Sequence, residues 1–368
     1  MTTLPTLFPQ PEDLPSGHLF DEPALRGCTK TAFAGQDRPQ LGRVVLLERL
    51  GRGGMGTVYY AMNPRLQTEL AVKVLSGALQ ERGEDFVNRF VREARLAGQI
   101  QSEHLVRTLD VDLDEGCGVY YIVMEYVRGI DAAQWVTDRL KSGEKITEGE
   151  ALDLCIAATH GLVAAHDRGI IHRDIKPANI LIPIDARREA PDLDRAKLAD
   201  LGLARFEAGG DTVTATEATL GTPGFMAPEQ SRDVRSARKP ADVFGMGATL
   251  YALLAGVPPF GGNSAVNRIL ATLENRYTPI RDARADVTAA CEAVITRCLE
   301  SDPEKRYPDA RALLEALEGC RAPHGDATKT ESPTGERSRR RGLGVAVALT
   351  LLVAVGLAAW KGWIPALD

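Results

Sequence analysis

Glycines, a lysine and a carboxylate recur at intervals near the start of the chain that suit the binding of phosphate. The stretch Gly51-Arg52-Gly53-Gly54-Met55-Gly56-Thr57-Val58 follows an apolar, strand-like run of Val44, Val45, Leu46, Leu47 and Leu50. Glycines at Gly51, Gly53 and Gly56 let a backbone turn approach phosphate oxygens with no Cβ in the way and aim N–H groups at them. Such a pattern alone also fits a dinucleotide-binding loop, but that loop opens straight into a helix. Here Thr57-Val58-Tyr59-Tyr60 continues as a second strand. A third strand follows from Glu69 to Leu75, and its period-2 alternation puts Ala71 and Lys73 on one face, opposite Val72 and Val74. A lone lysine in a strand is more often an edge-strand solubiliser. Beside a phosphate loop, on the inner face of an apolar strand, it needs an anion: nucleotide phosphates, with a carboxylate to hold it between them. The amphipathic stretch Phe86 to Ala97 offers Glu93 as that carboxylate.

Further along, His172-Arg173-Asp174-Ile175-Lys176-Pro177-Ala178-Asn179-Ile180-Leu181 gathers a carboxylate, an ammonium and a carboxamide, and Lys197-Leu198-Ala199-Asp200-Leu201-Gly202 adds a second carboxylate. Phosphoryl transfer depends on positioning and charge neutralisation more than on covalent chemistry, and these residue types supply both. Taken in chain order, the glycine loop, the Ala-x-Lys strand, the helix glutamate and this loop resemble the eukaryotic-type (Hanks-type) serine/threonine protein kinases. The pattern is most similar to that of bacterial transmembrane members of the family, and it covers about Leu41 to Gly319.

The resemblance implies an α+β, two-lobed fold. A small β-rich N-lobe with one key helix would occupy about 41–126, and a larger, mostly helical C-lobe about 127–319. It also implies roles. Asp174 would orient the acceptor hydroxyl and take its proton, Lys176 would offset charge on the γ-phosphoryl, and Asn179 and Asp200 would hold Mg²⁺, with Mn²⁺ the alternative. ATP would lie with its adenine between Val58 and Ala71 above and Leu181 below. Met124 would be the gatekeeper, and the backbones of Glu125 and Val127 would meet the adenine edge. Leu201 stands where the family usually carries phenylalanine, and Phe244 and Gly245 where it often has tyrosine and serine.

The segment from Asp200 to Glu229 is rich in threonine and contains Gly209 and Gly210, as a mobile activation loop would. Thr214 and Thr216 are the first candidate phosphosites, ahead of Thr212 and Thr219, and Arg173 would clamp the phosphate. Lys176 and Thr222 match the serine/threonine class. Glu229 of Ala227-Pro228-Glu229 would pair with Arg306, and Asp242 would start the central buried helix and tie down the catalytic loop. The function implied is transfer of the γ-phosphoryl of Mg-ATP to serine and threonine hydroxyls of proteins, with autophosphorylation of the loop. A membrane-anchored pseudokinase scaffold is the rival, and the presence of Lys73, Asp174 and Asp200 counts against it. The Ala-Pro-Glu segment and Arg306 count against a small-molecule phosphotransferase.

Composition bounds the rest. The chain has 368 residues, 44% of them hydrophobic, and a formal net charge of −6, which excludes a global attraction to nucleic acid. Its six cysteines are scattered with no C-x-x-C pair, the pattern of reduced thiols. Residues 1–40, proline-rich and acidic with no secretory signal, read as a disordered leader. The stretch between Ile182 and Lys197 reads as a solvent-exposed insertion between two strands.

Residues 320–341 read as a basic juxtamembrane linker. Residues 342–360 are uncharged, and as a helix they would span roughly 28 Å, close to the thickness of a bilayer core. A buried core helix rarely stays apolar on every face for so long. Arg337, Arg339, Arg340 and Arg341 before the span and only Lys361 after it place the kinase domain in the cytoplasm, leaving 361–368 as a short external tail. The expected location is therefore the cell membrane, single-pass. Ala346, Thr350, Ala354 and Ala358 recur every fourth residue, a spacing that would let the anchor pair into a homodimer.

Overall fold

The structure, a computed structural model, describes residues 19–53, 56–77, 83–185, 187, 189–201, 223–233 and 236–321. The candidate phosphosites Thr214 and Thr216, Thr222, residues 322–341 of the linker, the apolar span and the tail lie outside the described residues. Among the described residues, no helix is long and apolar enough to cross a membrane.

The first lobe is a seven-stranded antiparallel sheet in the order β1-β2-β3-β4-β5-β7-β6. Its strands are β1 (Thr29–Phe33), β2 (Gln36–Leu41), β3 (Val44–Gly53), β4 (Gly56–Asn63), β5 (Thr68–Leu75), β6 (Thr108–Asp114) and β7 (Val119–Glu125). Helix α1 (Glu84–Gly98) crosses from β5 to β6 and lays Phe86, Phe90 and Ala94 against Leu75 and Ile122. Its apolar residues recur at helical spacing, which is why one stripe is buried and its arginines face outward.

Part of the expected leader is folded: two 3-10 turns (Leu19–Asp21 and Pro23–Leu25) lead into β1 and β2. Leu19, Leu25, Cys28 and Leu41 cover one face of the sheet, packing with Val44, Leu46, Tyr59, Ala61, Val72 and Val74. Proline and acidic content reads as disorder only when little apolar surface is available to bury. Here the strands carry a second apolar face: Val44, Val45, Leu46 and Leu47 are all buried, which requires a layer on each side of the sheet.

The second lobe is mostly helical: α2 (Ala132–Lys141), α3 (Glu148–Asp167), α4 (Pro228–Arg232), α5 (Lys239–Ala255), α6 (Ala265–Leu273), α7 (Ile280–Ala283), α8 (Ala289–Cys298) and α9 (Ala310–Arg321). Thr147 and Glu150 close a capping box at the start of α3. Helix α5 is apolar on nearly every face and lies in the centre of the lobe. It stops at Gly256, whose left-handed φ of 76° suits glycine.

Four short strands face the first lobe: β8 (Gly129–Asp131), β9 (Ile180–Asp185), β10 (Ala190–Pro191) and β11 (Lys197–Leu198). The stretch between β9 and β11 is mostly exposed, as expected, and carries structure of its own. β10 folds back on β9 as an antiparallel hairpin, Leu193 packs against the core, and Ala196 is fully buried.

Candidate active site

Register across the sheet places the upper wall. Val58 pairs with Lys73, Tyr60 with Ala71, Ala71 with Met124 and Lys73 with Ile122. Directly paired residues of antiparallel strands share a face, so Val58, Ala71, Lys73 and Met124 line one surface. Gly56 is required by close approach: a Cβ there would lie 2.0 Å from the Val74 carbonyl oxygen. Among the described residues, no atom beyond the adjacent positions lies within 4 Å of a Cβ built at Gly51 or Gly53. Those two glycines therefore border open space that a phosphate could approach. Leu181, paired with Lys197 and with Asp131, supplies the lower wall.

Glu125 ends β7, and its backbone N–H donates to the Arg107 carbonyl at 3.0 Å. Its carboxylate Oε1 accepts from the Arg107 N–H and from Lys197 Nζ, both at 2.9 Å. Val127 lies two residues on, in the connection to β8. Lys197 opens the short strand that leads to Asp200, so this ion pair joins the hinge to the segment bearing a predicted metal ligand.

The lysine expected to pair with Glu93 pairs elsewhere. Lys73 Nζ donates to Asp200 Oδ1 at 2.8 Å, and among the described residues no ion pair joins Lys73 to Glu93. Burial pushes the Glu93 carboxyl up to about 7, against the pull of Arg173, Arg92 and Arg89. Burial acts on Asp200 in the same direction, yet the Lys73 ammonium and its hydrogen bond, with Lys176, hold that carboxyl below its ordinary range. Glu93 lies within electrostatic reach of Arg173 instead of pairing with Lys73.

Below the cleft the catalytic loop is held from beneath. Asp242, in the first turn of α5 and 1% exposed, accepts at Oδ2 from the His172 N–H (2.8 Å) and at Oδ1 from the Arg173 N–H (2.6 Å). His166 makes a third contact to Asp242, through Nε2 at 2.9 Å. Because His166 Nδ1 accepts from the Ala310 N–H, its Nε2 carries the proton. His172 follows the same logic: Nδ1 accepts from the Asp174 N–H and Nε2 donates to the Ala199 carbonyl at 2.9 Å. Burial pushes the His172 ring below its ordinary pKa, which keeps it neutral. Arg173 and Asp200 have left-handed φ values of 64° and 55°. Such non-glycine strain persists where surrounding bonds over-determine it, and here the two ends of the loop are pinned by Asp242 and His172.

Asp174 Oδ2 accepts from Asn179 Nδ2 at 3.1 Å and from Lys176 Nζ at 3.1 Å. Asn179 Nδ2 also donates to the Asp174 carbonyl at 2.7 Å. With its nitrogen turned to Asp174, Asn179 presents Oδ1 as a ligand. Together with the Asp200 carboxylate this is an all-oxygen donor set, of the kind that suits a hard divalent cation.

Glu229, in α4, receives both terminal nitrogens of Arg306, at 2.7 and 2.9 Å. The remaining N–H groups of Arg306 reach the carbonyls of Glu300, Ser301 and Pro240, and the guanidinium lies over the Phe244 ring, 4.9 Å from its centroid. Gln230 was not singled out in the sequence, although it sits beside Glu229. It is 4% exposed, accepts from the Ala227 N–H and donates to the Arg173 carbonyl, both at 3.1 Å. It thereby fastens α4 to the catalytic loop. His166 and Lys197 were also passed over, since nothing in their local sequence points to partners so far along the chain.

Residues 44–316 match the protein kinase domain family. Serine/threonine-protein kinase PknB of Mycolicibacterium smegmatis is 36% identical over 308 residues, covering 80% of this chain and 45% of that protein. A probable serine/threonine-protein kinase of Clostridium acetobutylicum is 33% identical over 275 residues, covering 75% of this chain and 39% of the other. The chain thus spans less than half the length of these curated relatives. Among solved structures, the PknI kinase domain of Mycobacterium tuberculosis is similar, with a TM-score of 0.59 and 26% identity over 79% of this chain and 100% of that one. The ordered motifs, the two-lobed fold and these relatives agree, and the chain belongs to the protein kinase domain family.

Proposed function

We propose that this chain is an ATP-dependent serine/threonine protein kinase acting on protein hydroxyls. The observation that carries the reading is the constellation of Asp174, Lys176 and Asn179, held by Asp242 across the cleft from the Lys73–Asp200 pair. The residues fit ATP and a divalent cation: an open glycine cradle above, and oxygen ligands at Asn179 Oδ1 and Asp200 below. Mg²⁺ is the expected metal. When bound, it would neutralise phosphate charge.

The protein's own groups do the rest. Asp174 is fixed by Asn179 and Lys176 in position to orient an acceptor hydroxyl and take its proton, while the Lys176 ammonium sits where negative charge would accumulate. Lys73 holds Asp200 in this state, and both groups serve the phosphate end of the site. Serine/threonine preference is supported by Lys176 and by Thr222. Thr214 and Thr216 are proposed as autophosphorylation sites. The uncharged stretch 342–360 is proposed as a single-pass anchor, with Arg337 to Arg341 on the cytoplasmic side and its small residues able to pair two copies.

The test is to incubate the detergent-solubilised full chain, and its Asp174→Asn variant, with Mg²⁺ and labelled ATP, then to map label by mass spectrometry. Label on Thr214 or Thr216 in the wild type alone supports the reading. Nucleotide binding without transfer to itself or to a basic protein substrate would refute it.

A further inference from the structure

Cys28 and Cys117 stand 89 positions apart in the chain, yet their sulfurs lie 2.8 Å apart. Cys28 follows the 3-10 turn Pro23–Leu25 and leads into β1, while Cys117 sits in the turn between β6 and β7. Both backbones are fixed. Cys28 is buried with Leu19, Leu25, Leu41 and Tyr121. Asp114 closes the opposite turn, accepting at Oδ1 from the Cys117 N–H (3.1 Å) and thiol (3.3 Å), and at Oδ2 from the Gly42 N–H (3.1 Å). The segments press together so closely that a Cβ on Gly27 would lie 3.4 Å from the Cys117 Cβ. Among the described residues, no other pair of cysteines shares a hydrogen bond.

We propose that Cys28 and Cys117 form a reversible disulfide that fastens the N-terminal extension to the sheet when low-molecular-weight disulfide is abundant. The chemistry is two exchanges. The thiolate of one cysteine attacks a small disulfide, forming a mixed disulfide and expelling one small thiolate. The thiolate of the second cysteine then attacks the protein sulfur of that mixed disulfide and expels the other. The two protons lost by the cysteines are taken up by the two leaving thiolates, the protein is oxidised by two electrons, and the small disulfide is reduced to two thiols. Burial raises both thiols above their ordinary pKa and the Asp114 charge adds to it. Exchange at neutral pH is therefore slow, which suits a lasting fastening rather than a rapid sensor.

The fastening bears on the nucleotide loop. Glu22, within the extension, accepts from the Tyr59 hydroxyl at 2.5 Å and from Arg49 at 3.4 Å. Arg49 and Tyr59 are paired across β3 and β4, the strands that carry the glycines. A closed disulfide holds the extension, and with it this grip on the outer side of the hairpin.

The full chain, reduced and then incubated with oxidised glutathione, is alkylated and digested without reductant. The expected product is a linked peptide pair containing Cys28 and Cys117, lighter than its parts by two hydrogens. A rise in melting temperature on the order of 5–10 °C should accompany it and reverse with dithiothreitol. Cys28→Ser and Cys117→Ser should each abolish link and shift, whereas Cys155→Ser should keep both. Glutathione stably attached to either cysteine, a link to any other cysteine, or a correct link with no thermal shift would overturn the proposal.

Discussion

Replacing Arg306 by methionine removes a guanidinium whose side chain is 0% exposed while leaving a side chain of similar length in its place. All of its N–H groups are used: two by Glu229 and the others by three backbone carbonyls. Its loss strands the Glu229 carboxylate, 18% exposed, in a largely closed site. Breaking one side of a buried pair costs about 3–5 kcal/mol. The residual exposure of Glu229 favours the low end, so a loss of roughly 3 kcal/mol is expected, or a melting temperature lower by about 10 °C. Urea denaturation of the wild type, Arg306→Met, Glu229→Met and the double variant measures it. The double variant should be less destabilised than the sum of the singles by about 2 kcal/mol, because no orphan charge remains. Arg306→Lys should recover little, since an ammonium cannot reproduce the planar fork. Activity should fall further than stability alone explains, because α4 carries Gln230 and through it holds the Arg173 carbonyl. A single-variant loss below about 1 kcal/mol, or strict additivity, would refute the assignment.

Gln230→Ala leaves the Ala227 N–H and the Arg173 carbonyl without their buried partner; we expect a loss of about 2 kcal/mol and a lower kcat with nucleotide affinity kept, measured by denaturation and by steady-state kinetics. Gly56→Ala drives a Cβ into the Val74 carbonyl and should weaken nucleotide binding by about tenfold or more by fluorescence titration, with Gly53→Ala, unhindered by protein atoms, as its comparison. Glu93 has a folded pKa near 7 against an ordinary 4.5, so the folded state binds the extra proton between those values. Its contribution to stability is complete below the lower value and is lost as pH rises through 7, by about 2 kcal/mol after allowance for its partial exposure. Glu93→Gln should cancel this slope, raising stability relative to the wild type at pH 8. A stability difference between the two that does not vary with pH would count against the geometry.

The residues of single elements were legible because their spacing is local. Glycines at a strand turn, Lys73 on the inner face of an apolar strand, and Asp174, Lys176 and Asn179 in one short loop carry their pattern within a few positions. The two-lobed fold was implied by the resemblance of these ordered motifs to the serine/threonine protein kinases. Two other features were written in the sequence but outweighed by composition. The unbroken apolar run Val44 to Leu47 demanded cover on both faces of the sheet, and Leu19, Leu25 and Leu41 were there to give it.

What the tertiary structure alone decided is which partners distant groups take. Lys73 had two carboxylates of suitable chemistry, Glu93 and Asp200. The choice of Asp200 depends on how α1 sits against the sheet, a rigid-body matter that no local pattern encodes. Gln230 acquires its role because α4 lands beside the catalytic loop, 57 positions away in sequence. The meeting of Cys28 with Cys117 likewise needs both the N-terminal extension and the β6–β7 turn in place. Side-chain type and period specify an element and its buried face, because those depend on backbone geometry repeated every two or 3.6 residues. Pairing across the molecule depends on the packing of whole elements, where alternatives differ by only a few kcal/mol.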